Sequence, residues 1–191
     1  MDPNTLSVMQ GAAGAAGGDK VYVEDVFSTY LYDGNSGSQS INNGIDLDGE
    51  GGMVWIKKRD GTDSHALFDT ERGVQKYLKS DTNDNEYTRD PGDALSAFNS
   101  DGFSFNGGFG AANNSSKTYT SWTFRKAPGF FDVVTYEGDD VAGREIAHSL
   151  GSVPGMIIIK ETDGTEDWRV YHRSLGGTKN LRLNQTYAAG T

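Results

Sequence analysis

Three histidines, 27 carboxylates and no cysteine bound the chemistry open to this 191-residue chain. His65, His148 and His172 are scattered, and none has a second histidine four residues away, the spacing that sets two imidazoles around zinc on one helix face. Without Cys there is no thiolate nucleophile, no Cys-ligated zinc or iron–sulfur cluster and no disulfide framework. No Gly-x-Ser-x-Gly elbow stands between a strand and a helix. Glycoside hydrolysis needs only two facing carboxylates. Asp46, Asp48 and Glu50, or Asp69 and Glu71, are near enough in sequence, but nothing separates them from solvated loop charges. Asp46–Glu50 and Asp81–Glu86 resemble pieces of a calcium loop, and neither completes the twelve-residue ligand pattern. Asn106–Gly110 lacks the spacing of a phosphate cradle, and no helix follows it. The expectation is a protein with no catalytic residue, no metal and no cofactor.

Flat aromatic rings offer a different chemistry, stacking on sugars. Trp55 sits in a β-branched run and reads as packing. Trp122 lies in a strand where Tyr119, Ser121 and Thr123 alternate with Thr120, Trp122 and Phe124, and one aromatic face is expected in the core. Trp168, flanked by Asp167 and Arg169, is expected to be exposed, which makes Trp168 and Arg169 the candidate glycan contacts.

These residues are carried by strands. Val21–Val23, Val26–Tyr32, Met53–Lys57, Tyr119–Phe124, Phe130–Tyr136 and Met156–Lys160 are short, β-branched and aromatic. Turn signals such as Asp33-Gly34-Asn35, Asp60-Gly61, Asp101-Gly102 and Asp163-Gly164 punctuate them. No apolar i, i+3, i+4 pattern persists over three turns. The chain is therefore expected to be all-β, a sandwich or barrel. An aromatic content of 11% argues for a packed core despite 26 Gly. A net charge of −10 excludes a phosphate-backbone binder, and no apolar run reaches the ~18 residues of a membrane span.

An internal repeat organises the whole. Met53–Asp63 aligns without a gap on Met156–Glu166, an offset of 103 residues. The offset continues through Leu67-Phe68 on Val170-Tyr171, Gly73 on Gly176 and Lys76–Lys79 on Lys179–Arg182. Tyr32-Asp33-Gly34 matches Tyr136-Glu137-Gly138. The expected organisation is an N-terminal arm over 1–19, a first unit over 20–128 and the first half of a second unit over 129–191. No counterpart of Phe98–Trp122 follows in the second unit, so the chain is expected to be the start of a longer polypeptide. In the arm, Leu6, Val8 and Met9 form a small apolar cluster ahead of the Gly/Ala-rich residues 11–18, which read as a flexible spacer.

The strings Val23–Leu31, Asn42–Leu47, Gly49–Lys57, Leu67–Gly73, Phe130–Tyr136 and Trp168–Gly176 resemble a repeat family in tail-fibre-like structural proteins of marine bacteriophages. That resemblance implies lectin-like or jelly-roll β-sandwich units in tandem, in a virion protein of the tail, assembled in the host cytoplasm, homotrimeric and bound to other tail proteins. It makes Leu6, Val8 and Met9 contacts of a tail-anchoring arm and a host surface glycan the distal ligand. A capsid decoration protein and a glycan-binding or depolymerising tailspike are the alternatives.

Overall fold

Along Thr118–Arg125 (β9) the side chains face two environments in turn. Tyr119, Ser121 and Thr123 are fully buried, while Trp122 and Phe124 are half-exposed. This period of two is that of a strand between a core and an outer surface. In the computed structural model, which describes residues 21–91 and 93–191, β9 is an inner strand of a four-stranded antiparallel sheet. On one side it pairs with Phe27–Asp33 (β1), from Phe27 opposite Phe124 to Asp33 opposite Thr118. On the other it pairs with Gly52–Lys58 (β3), from Gly52 opposite Arg125 to Lys58 opposite Tyr119. Ala66–Asp69 (β4) completes the sheet beside β3. The arm residues Leu6, Val8 and Met9 lie outside the described residues.

A second sheet, Ser38–Asn42 (β2), Leu95–Asn99 (β7) and Gly102–Asn106 (β8), runs in the order β2-β8-β7. Lys76–Tyr77 (β5) and Tyr87–Thr88 (β6) form a small ribbon at the side. The two larger sheets share one core. Tyr32, Val54, Ile56, Phe68 and Tyr119 from the first meet Ile41, Leu95, Phe103 and Phe105 from the second, with Ile45, Leu47 and Phe109 closing the ends. The fold is an all-β sandwich. Small hydroxyl residues on the buried face of β9 leave room for Phe103 and Phe105, as interdigitated packing requires.

Buried polar groups fix the loops. Asn113 is wholly enclosed; its Nδ2 donates to the carbonyls of Gly37 and Gly107, and its Oδ1 accepts from Asn35 N–H at 3.0 Å. Arg72 is buried between two carboxylates, Asp69 at 2.6 Å and Glu86 at 3.1 Å, and donates to the Leu67 carbonyl. A buried guanidinium is tolerable only with such complete pairing.

The sequence repeat reappears as geometry. Met156–Ile159 (β10) pairs with Arg169–His172 (β11), and each pair lies 103 residues beyond its β3–β4 equivalent: Val54/Phe68 becomes Ile157/Tyr171, and Ile56/Ala66 becomes Ile159/Arg169. The isolated bridge Leu67/Leu78 recurs as Val170/Leu181, where Leu181–Arg182 (β12) joins β11. Even the loop cap recurs. Lys57 Nζ donates to the carbonyls of Lys58 and Gly61, and Lys160 Nζ to those of Glu161 and Gly164. Gly73 and Gly176 both take positive φ, 90° and 75°, the left-handed conformation that favours glycine.

Two expected strands take other forms. Val23–Val26 (α1) is a single helical turn closed by Asp25, which accepts from Tyr22 N–H at 2.9 Å. Phe130–Tyr136, the counterpart of β1, forms no ladder beyond the Ala127/Phe131 bridge. The reason is pairing: β1 is held by β9, and no strand stands in that position for the second copy. The second copy therefore has one sheet among the described residues, not a sandwich.

The core predicts its own weak point. Phe68 is fully buried against Tyr77 and Phe109, with ring centroids 5.6 and 6.3 Å away. Phe68→Ala is expected to lower stability by about 3–5 kcal/mol through lost burial and a residual cavity, read from urea unfolding.

Candidate functional site

Strand alternation makes the outer face of the β1-β9-β3-β4 sheet apolar. Thr29, Trp122, Trp55 and Leu67 are successive cross-strand neighbours, so their side chains form one row across that face. The Trp55 and Trp122 rings meet edge to face at 6.3 Å. In the next row Phe27 packs on Phe124 at 4.9 Å, and Phe131 covers Phe124 at 5.4 Å. Trp55 and Trp122 are half-buried here rather than in the core, because Tyr119, Ser121 and Thr123 take the inward positions of β9.

His65 borders this row. Its Nδ1 accepts the Trp55 Nε1–H at 2.7 Å, and its backbone N–H donates to Asp81. Burial pushes its pKa down from 6.5; the Asp81 charge opposes this and the Lys57 charge adds to it. The other histidines are local acceptors too. His148 Nδ1 accepts from Leu150 N–H and His172 Nδ1 from Ser174 N–H. Among the described residues no group of three or more His, Asp or Glu converges as a metal site. The carboxylates that suggested calcium loops close turns instead: Asp46 accepts from Gly49 N–H and Asp84 from the Tyr87 hydroxyl.

Trp168 corrects an expectation. It is 5% exposed, packs with Leu67 and Leu78 on the outer face of the first sheet, and donates Nε1–H to the Lys79 carbonyl at 2.8 Å. It is the most buried of the three tryptophans and is not a sugar-stacking platform. The physical reason is non-local: Leu67 and Leu78 offer the indole apolar cover, and the Lys79 carbonyl satisfies its N–H. The same join is tied by Asn83 Nδ2 donating to the Thr165 carbonyl and Glu86 N–H to that of Thr162. Arg169 stays half-exposed on β11, 3.8 Å from Glu166 and 3.4 Å from Asn180 Oδ1. Trp168 and Arg169 thus do not form a joint surface contact.

A cleft of about 300 Å³ is lined by Glu71, Lys126, Asp132, His148 and Ser149. Lys126 pairs with both Glu71 and Asp132, and Asp132 also accepts from the backbone and hydroxyl of Ser149. Lys126 thus links the two carboxylates of the cleft, Glu71 and Asp132, in one ion-pair network.

The fold and site define an all-β module whose outer aromatic face docks a repeated hairpin. The chain matches a domain of unknown function, DUF7483, over residues 23–191, and it belongs to that family. The match runs through both copies of the hairpin. No curated protein and no solved structure matches the chain.

Two outcomes follow from the join. Trp168→Ala is expected to speed amide exchange in β11 and β12 about tenfold while leaving β9 unchanged, measured by hydrogen-exchange mass spectrometry. For His65, the folded state favours the neutral ring, so its contribution is fully present above pH 6.5 and is lost as pH falls through the lower folded-state value. Urea unfolding from about pH 8 to about pH 5 should show this loss, and His65→Asn should flatten it.

Proposed function

We propose that the chain is a non-catalytic structural part of a phage virion, the N-terminal portion of a tail fibre that attaches to the tail and supports host recognition. The observation carrying this reading is the second copy of the β3–β4 hairpin, in the same register and fastened to the first unit by a buried tryptophan. Fibres are built from units joined in series, and a rigid peg between successive copies suits them. The resemblance of the repeat strings to tail-fibre-like proteins supports it further. The enclosed carboxylates Asp69 and Glu86 are committed to Arg72, and Asp132 to Lys126 and Ser149, which favours structure over acid–base work. In this reading the arm with Leu6, Val8 and Met9 contacts other tail proteins, the assembly is a homotrimer formed in the host cytoplasm, and neither nucleic acid nor membrane is a partner.

A glycan-binding role is the second reading, favoured by the half-exposed Trp55–Trp122 pair beside exposed Thr29 and Leu31.

Electron cryomicroscopy of virions carrying a tagged chain tests the location. Density at the tail is expected; density on the capsid would make it a decoration protein. Deleting residues 1–18 should abolish incorporation with the circular dichroism of the β units unchanged. Binding of host polysaccharide that Trp122→Ala removes would support the second reading, and release of sugar would overturn the non-catalytic one.

A further inference from the structure

His65 and Trp168 stand at equivalent positions of the two hairpin copies, and side-chain contacts tie one to the other. Three hydrogen bonds of the join come from one segment of the first unit, residues 79–86. The Lys79 carbonyl accepts Trp168 Nε1–H at 2.8 Å, Asn83 Nδ2 donates to the Thr165 carbonyl at 2.8 Å, and Glu86 N–H donates to that of Thr162 at 2.7 Å. Asp81 lies in the middle of this segment, and its Oδ1 accepts the His65 backbone N–H at 3.2 Å. On the ring side, His65 Nδ1 accepts Trp55 Nε1–H at 2.7 Å, and Trp55 packs against the cluster of Leu67, Leu78 and Trp168. The backbone tie fixes where the His65 ring stands. The ring contact depends on its protonation.

An Nδ1 that accepts a hydrogen bond carries a lone pair, so the ring is neutral and its proton sits on Nε2. A second proton has to enter at Nδ1. The imidazolium has two N–H donors and no acceptor, and an indole N–H can only donate. Two donors at the present 2.7 Å spacing repel, so the rings must part. Two charged groups act on the half-buried ring: Asp81 from 79–86, which favours the proton, and Lys57 from β3, which opposes it. Lys57 is held in place by the carbonyls of Lys58, Gly61 and Asp63. Burial has the largest effect and pushes the ring's pKa down from 6.5.

We propose that His65 is a pH-sensitive latch on the join: a proton taken up at Nδ1 breaks the bond to Trp55 and loosens the second copy from the first unit. With its acceptor gone, the Trp55 indole leaves the position in which it supports Leu67, Leu78 and Trp168. The first sheet is not part of the device, because the Trp55 backbone is paired with both β4 and β9 and only its side chain moves. At the equivalent position of the second copy, Trp168 has no proton to gain, so the response belongs to the first copy alone. The join is closed while the ring is neutral and opens as pH falls through the folded-state value below 6.5. The inference stands independently of the virion and glycan readings.

Nuclear magnetic resonance of the full chain from about pH 8 to about pH 5 tests this. The indole N–H signals of Trp55 and Trp168 should shift with the same midpoint as the His65 ring. Over that range, exchange of the β11 and β12 amides, corrected for the intrinsic effect of pH, should speed about tenfold with β9 unchanged. His65→Asn keeps an acceptor that takes no proton, and should hold the join closed throughout. Trp55→Phe keeps a ring but removes the donor; His65 should still titrate there, and the join should no longer respond. A Trp168 signal that stays put while His65 titrates overturns the proposal, as does a His65 ring that remains neutral across the whole range. A response that persists in Trp55→Phe overturns it too, by assigning the effect to the charge on the ring. Faster exchange in β9 alongside β11 would mark general acid unfolding and likewise sink the latch.

Discussion

The pairing of β9 is the constraint on which the rest depends. It holds β1, which has no other ladder partner among the described residues, and seals the edge of β3. Its buried face of Tyr119, Ser121 and Thr123 sets the depth into which Phe103 and Phe105 of the opposing sheet fit. Its outer face supplies Trp122, which meets Trp55, and Phe124, which packs against Phe130 and Phe131. One strand therefore fixes the first sheet, the core and the outer aromatic row. Its effect is plainest where no counterpart stands among the described residues: Phe130–Tyr136 forms no strand, and β10 is exposed on both faces.

The join between the copies follows from ordinary burial. Leu67 and Leu78 are bridged to each other on the outer face, and this apolar pair would be exposed without cover. Trp168 supplies the cover and satisfies its own N–H on Lys79. In the repeat register Trp168 occupies the position of His65, which instead accepts a hydrogen bond from Trp55 within the first unit. One position thus serves contact within a unit in the first copy and contact between units in the second. The two roles need different side chains, a compact acceptor in one place and a large apolar ring in the other.

Much of the fold was legible from the residues. Short β-branched and aromatic runs located β1, β3, β9 and β10, Asp101-Gly102 marked the β7–β8 hairpin, and the 103-residue offset mapped β3–β4 onto β10–β11 pair by pair. The candidate site was less legible. Trp168 has charged neighbours in sequence, which suggested exposure, but its environment is set by Leu67, Leu78 and Lys79, about ninety to a hundred residues away. Trp122 sat in a correctly identified alternation whose inward side was ambiguous, because both sides carry an aromatic.

By itself the sequence determined the β texture, the absence of cysteine chemistry and the register of the repeat, since these rest on local periodicity and on matching residue classes. Only the tertiary structure decided which face of β9 points inward, which tryptophan is enclosed, and that Phe130–Tyr136 goes unpaired. The physical reason is that a strand has two equivalent faces and two edges. Propensity specifies that a segment can extend, and only non-local partners determine which faces and edges are filled.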